Sequence, residues 1–332
     1  MALTHFRNPA IIGLSLVILV TLAGAFSLLS GSVEISAYDL LSVINATDSS
    51  IEHSVITQIR WPRTLAALIV GGLLGYSGVL MQVLLRNPLA DPYILGVSGG
   101  ASVAALLCML LGISGLLLSL AAFLGALISM LLVYGLARGH ETWTPTRLLL
   151  TGVVIAAGWG AVISLLLAIG PATSLHSMLF WLMGDLSGAM PHLSIHALVL
   201  LLLVSGGIFI APQLDILARG FQQAAVLGIN VAKFRLGIYL MASLATALAV
   251  TLAGPIGFVG LVVPHMVRLV LGSQHRHLLP VSTVVGAALL TIADTLARTI
   301  IAPSQLPVGV LTAFIGVPLF LFLLYRGTGE RK

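Results

Sequence analysis

Uninterrupted apolar runs, each about twenty residues long, recur along this chain. Leu16 to Leu29 and Leu198 to Ile210, with their flanks, are two of them. A soluble fold cannot hide so many, because the share of surface that folding buries is limited by chain size. Of the 332 residues, 59% are hydrophobic and only 8% are charged, against roughly 25% charged in soluble domains. Mean hydropathy is +1.13. Lipid is therefore the solvent for most of the chain. In lipid every backbone N–H and C=O needs an internal partner, which leaves helices or a closed barrel. Barrel strands alternate apolar and polar residues. These runs do not alternate, so the expected class is an all-α polytopic membrane protein in one domain, 1–332.

Hydropathy and punctuation give about ten spans. They begin near Pro9, Thr64, Tyr93, Gly115, Arg147, Leu193, Leu236, Ile256, Leu279 and Pro307. Polar stretches lie near 30–60 and 212–235, and an amphipathic piece lies near Ser177–Met183. Ala23-Gly24-Ala25 resembles a signal-peptidase site, but the apolar run continues to Leu29, so a retained first helix is expected. With both termini cytoplasmic, twelve Lys and Arg fall inside and three outside, namely Arg60, Arg63 and Arg298. The net charge of +5 is spread over short loops, which gives no case for nucleic-acid binding. The single cysteine, Cys108, reads as a small packed hydrophobe. Gly71 to Gln82 and Leu252 to Pro264 are both Gly-rich, too weak a likeness to establish a repeat.

The absences narrow the function. A P-loop needs Gly-Lys before Ser or Thr. The two lysines, Lys233 and Lys332, do not follow a glycine, so the chain holds no nucleotide site of that kind. His-Glu-x-x-His is missing and no catalytic constellation stands along the chain, which leaves no expected enzyme activity and no expected cofactor. His192 and His196 share a helical spacing but lack a third ligand, so no metal site is expected. Asp294 and Asp185 are the few carboxylates near the spans. The polar segment Pro212 to Arg235, with breaks expected at Gly220 and Gly228, fits either a docking surface for a cytoplasmic partner or an ordinary loop.

A set of motifs then stands in order along the chain. Arg60-Trp61-Pro62-Arg63-Thr64 precedes Gly71-Gly72, Ser77-Gly78 and Gln82. Arg86-Asn87-Pro88-Leu89-Ala90-Asp91-Pro92 and Leu95-Gly96-Val97-Ser98-Gly99-Gly100-Ala101 follow. Later come Trp181-Leu182-Met183-Gly184, Ala253-Gly254-Pro255-Ile256-Gly257 and Pro264-His265-Met266-Val267-Arg268. Ala293-Asp294-Thr295-Leu296-Ala297-Arg298 and Leu306-Pro307-Val308-Gly309-Val310 close the series. Over nearly its whole length the chain resembles the permease subunits of bacterial ABC importers for iron-siderophores, haem and cobalamin.

The resemblance implies a ten-span, multi-pass permease of the inner membrane that works as a homodimer. Two copies of a separate ATPase would dock inside, and a periplasmic binding protein would deliver a metal chelate or cobalamin outside. Arg60, Arg63 and Arg298 match the family's binding-protein docking arginines. Guanidinium forks suit carboxylate partners, and an exposed rim of them would serve register and encounter rate. Arg298 could instead pair with Asp294 one helical turn earlier. Arg219, Gly220, Leu227 and Gly228 match the family's ATPase-coupling segment. Thr144, Pro145 and Thr146 match its cytoplasmic gate, where Pro145 departs from the usual small polar residue. Gln305 departs from the family's usual Glu. The Arg86–Pro92 turn reads as helix-end capping by Asn87 and Asp91. The competing class is a stand-alone proton-coupled secondary transporter, with Asp294 as its carboxylate.

Overall fold

A computed structural model gives the structure of the protein. It describes residues 9–31, 33, 35–36, 51–138, 144–188 and 193–329. Most of the polar stretch near 30–60, His192, and the terminal charges Arg7, Arg331 and Lys332 lie outside the described residues. The elements are helices throughout. Helix α1 is Pro9–Leu29. A lead-in of Ile51–Ser54 and a π-helical turn, Val55–Arg60, opens into α2, Trp61–Leu84. A 3-10 turn, Pro92–Leu95, precedes α3, Val97–Leu110. Then follow α4, Leu116–Arg138; α5, Pro145–Ile169; α6, Ala172–Leu182; and α7, Leu193–Phe209. Two short helices come next, α8 at Ala211–Arg219 and α9 at Phe221–Val226. The last four are α10, Val231–Ala253; α11, Val259–Leu271; α12, His275–Thr299; and α13, Val308–Gly329.

Six helices among the described residues are long and apolar enough to cross a membrane: α1, α2 with its lead-in, α4, α5, α10 and α12. The pair α7–α8, bent by 60°, makes a seventh, and α3, α11 and α13 are shorter apolar helices. Most boundaries fall within a few residues of expectation. Helix α10 differs, beginning at Val231 rather than near Leu236, because the Asn230 carboxamide caps it by accepting from the Lys233 N–H at 3.1 Å.

Helix α2 is the axis of the bundle. It is enclosed along most of its length, and α10 and α12 pack beside it. Close approach explains its glycines. A Cβ on Gly71 would strike the Gly286 carbonyl of α12, and one on Gly78 would strike the Gly260 carbonyl of α11. Lipid supplies little hydrophobic drive between helices, so backbone-to-backbone packing of small residues supplies much of the cohesion. Helices α1 and α5, by contrast, leave most of their apolar surface bare.

Candidate functional site

At the end of the bundle where α1 stops and α2 starts, the three arginines converge. Arg60 sits at the last turn before α2, and its Nη1 donates to the Leu28 carbonyl at 2.6 Å and the Leu29 carbonyl at 3.2 Å. Its Nη2 donates to the Val33 carbonyl. Arg298, near the C-terminus of α12, donates to the Ser27 carbonyl and, at 3.0 Å, to Ser27 Oγ. The last carbonyls of a helix lack intrahelical partners and carry partial negative charge. Arg60 and Arg298 together supply the partners that α1 cannot.

Arg63 has a different role. Its Nη2 and Nε form a fork on Asp294, with Nη2–Oδ1 at 2.8 Å and Nε–Oδ2 at 3.0 Å. Its Nη1 donates to Gln305 Oε1 at 2.8 Å. Arg298 Nε lies 3.8 Å from the same carboxylate, so the one-turn pairing exists but is the looser one. The side chains of Arg63, Arg298 and Asp294 are only 10%, 9% and 1% exposed. The expected exposed rim is thus mostly inward-turned. Arg63 and Arg298 share one carboxylate at this place, and with Arg60, Gln305 and Gly31 they line a cavity of about 140 Å³. Asp294, the carboxylate that a proton-coupled carrier would need, is already held by an ion pair.

At the opposite end, α8 and α9 form the segment expected near 212–235. Gly220 separates them with φ 153° and ψ 145°, a conformation that is essentially glycine's alone. Gly228 ends the pair at φ 83°, again in the left-handed half of the map. Val226 and Leu227 are 87% and 65% exposed, which presents an apolar tip. Arg219 is exposed beside them, and Gly220 is covered. The Phe221 ring anchors the segment, with the guanidinium of Arg235 4.5 Å and that of Arg86 5.4 Å from its centre. Asp215 ties α8 to α12, its carboxylate accepting from the His275 N–H at 2.9 Å and meeting His275 Nδ1 at 2.6 Å.

Thr144 and Pro145 open α5. Thr144 Oγ1 accepts from the Arg147 N–H at 3.2 Å, and Pro145 takes the first helical position, where its missing N–H costs nothing. This accounts for Pro145, while Thr146 is exposed on the same first turn. In the Arg86–Pro92 turn, Asn87 Oδ1 accepts from the Leu89 N–H at 2.9 Å and Asp91 Oδ1 from the Tyr93 N–H at 2.7 Å. Burial pushes the Asp91 carboxyl up to about 6, partly opposed by that hydrogen bond.

Three of the sequence motifs meet in space. The Gly309 N–H donates to the Met183 carbonyl at 3.0 Å, the Val308 N–H to Gly184 at 3.1 Å, and the Asp185 N–H to Ala253 at 2.8 Å. The end of α6 is thus knitted to the end of α10 and the start of α13 through backbone groups.

Comparison with known proteins fits this arrangement. Residues 17–326 match the model of the FecCD transport family. The chain belongs to that family. It is 41% identical over 320 residues to the Fe(3+) dicitrate transport system permease protein FecD of Escherichia coli, covering 94% of this chain and 99% of that one. It is 40% identical to the vitamin B12 import system permease protein BtuC of Vibrio vulnificus, covering 91% and 90%. With the hemin transport system permease protein HmuU of Yersinia pestis the identity is 38%, covering 97% of each. A solved inward-facing conformation of a metal-chelate type ABC transporter superposes with a TM-score of 0.85 at 31% identity, covering 96% of this chain and all of that one.

This permease is therefore a multi-pass transport subunit and not an enzyme, and in its family ATP hydrolysis belongs to a separate subunit. Asp215 and His275 are structural partners of a candidate site that residue reading did not single out as such. Asp215 lies sixty residues from His275, and nothing in local spacing announces that pair.

Proposed function

We propose that this permease is the ten-span core of a homodimeric importer, with both termini cytoplasmic, that moves a metal chelate or cobalamin inward. Its ligand is an iron chelate, either a ferric siderophore or haem, in the first reading and cobalamin in the second. The near-complete match to permeases named for ferric dicitrate, hemin and vitamin B12 transport carries the reading.

Two surfaces give it a mechanism. Arg60, Arg63 and Arg298 form a cationic site for carboxylates of a periplasmic binding protein. Arg63 and Arg298 would meet those carboxylates directly, while Arg60, spent on three carbonyls, fixes the site's shape. On the other side, Arg219, Gly220, Leu227 and Gly228 form the contact for two copies of a cytoplasmic ATPase. The exposed Leu227 tip and the Asp215–His275 tie would pass its motion to α12. Thr144, Pro145 and Thr146 lie at the inner mouth as the gate, and bare α5 faces a second copy across the dimer axis.

The test is reconstitution in liposomes with the cognate ATPase and binding protein. ATP-dependent uptake of the chelate carried by that binding protein, and no ATP hydrolysis by the permease alone, are expected. Uptake driven by a proton gradient without the ATPase would favour the secondary-transporter reading instead.

A further inference from the structure

The α8–α9 end of the bundle holds a cavity of about 500 Å³ between the end of α2, helix α8, and the turn joining α11 to α12. Its wall is cationic. Arg86, Arg219, Arg268 and His275 line it, and Asp215 is its one acidic member. That carboxylate is already engaged by the His275 N–H and ring.

Two nitrogens of this wall lack partners among the described residues. Arg268 Nη2 donates to Gln82 Oε1 at 3.1 Å, but its Nε is buried without an acceptor. His275 is 2% exposed, and with Nδ1 on Asp215, its Nε2 is buried and unpaired. Buried polar groups are nearly always satisfied, and an unsatisfied one calls for a water, an ion or a function. The orphaned Arg268 Nε in a wall of three guanidiniums points to an anion, and His275 Nε2, whose ring gives its Nδ1 proton to Asp215, can accept from a protonated phosphate oxygen.

Backbone geometry holds the site in place. Arg86 adopts φ 50°, unusual for a residue with a side chain, just beyond the last turn of α2. Its guanidinium is steadied over the Phe221 ring. Guanidiniums are the donor set that recognises phosphoryl oxygens. Basic pockets between helices at the cytoplasmic face suit phospholipid headgroups by the same chemistry.

We propose that this cavity is a binding site for a phosphate-bearing anion, either free or as a phospholipid headgroup. Occupied, it would join α2, α8, α11 and α12 through one ligand, beside the segment that meets the ATPase. The inference does not depend on which substrate is transported.

The test uses the full chain purified in a zwitterionic detergent. Thermal unfolding is followed against inorganic phosphate at constant ionic strength. A second arm compares nanodiscs of phosphatidylcholine with nanodiscs containing phosphatidylglycerol. A ligand that binds the folded chain raises its Tm in a concentration-dependent way. A rise with phosphate, with phosphatidylglycerol, or with both supports the site and names its source. Affinity should fall at least tenfold in Arg268→Gln and His275→Gln and hold in Arg138→Gln, a surface arginine at the end of α4. Arg268→Lys, which keeps the charge, should stay folded with intermediate affinity. No rise with either probe, or an equal rise in the cavity variants and Arg138→Gln, overturns the proposal. So does stabilisation that needs the ATPase subunit, since a protein carboxylate would then be the occupant.

Discussion

Arg63, in the first turn of α2, grips Asp294, near the end of α12, in a two-pronged ion pair whose Nη2–Oδ1 contact is 2.8 Å. The two residues lie 231 positions apart. The pair closes the two most enclosed helices at the end where α1 stops and α2 starts, and holds Arg298 near the same carboxylate.

Breaking it should be costly. Asp294→Ala leaves Arg63 facing Arg298 in a nearly dry site, and loss of one partner of a buried pair typically costs about 3–5 kcal/mol. A clear drop in Tm in detergent is expected. Asp294→Asn should fall between wild type and Asp294→Ala. What uptake remains in Asp294→Asn should still require ATP and ignore a protonophore. Uptake that proceeds without ATP and is abolished by a protonophore would contradict the importer reading.

Docking and stability should separate within the arginine trio. Arg298→Gln, which leaves the Arg63–Asp294 pair in place, should weaken association with the binding protein on the order of tenfold at low salt and flatten its salt dependence. Arg60→Ala should act mainly on the fold. It strips the acceptors Leu28, Leu29 and Val33 of their donor, at a cost of about 1–3 kcal/mol. Surface plasmon resonance and thermal unfolding of the same variants check both halves.

The coupling tip should behave in the opposite way. Leu227 is 65% exposed, so Leu227→Asp should change stability by no more than about 0.5 kcal/mol. ATP hydrolysis by the assembled complex, and its stimulation by loaded binding protein, should be lost. Gly228→Val, which forces a β-branched residue to φ 83°, should cost about 1–2 kcal/mol in addition. Retained stimulation in Leu227→Asp would remove this tip from the ATPase contact.

Asp91 gives a pH signature. Its carboxyl is raised from 3.8 to about 6 by burial. A raised acid favours the folded state while protonated, so its contribution is complete below pH 3.8 and is lost as pH climbs through about 6. Asp91→Asn keeps an acceptor for the Tyr93 N–H and cannot ionise. The variant should match wild type below pH 4 and exceed it above pH 7 by on the order of 3 kcal/mol. A constant difference across that range would refute the assignment.

Most helices were legible because lipid makes each span carry its own signal. A helix in a bilayer must satisfy its backbone internally and be apolar over a fixed length, and both demands are local. The breaks at Gly220 and Gly228 were legible for the same reason, since a special φ is a property of one residue. Pro145 is an N1 proline after a Thr cap, a signal of a helix start carried by two neighbouring residues.

The sequence by itself thus determined the class of fold, the polar segments at the two ends and the family. Charge bias and order of motifs are properties of the chain alone. Tertiary structure decided which way the arginines turn. Arg60 and Arg298 go inward because α1 ends beside them with carbonyls to satisfy, and Arg63 because Asp294 lies across the helix interface. It also decided that Met183–Gly184, Ala253 and Val308–Gly309 share one knot of backbone hydrogen bonds. Such contacts depend on which helices become neighbours. That is set by small-residue packing along α2, where a Gly71 or a Gly78 records that something comes close but not what.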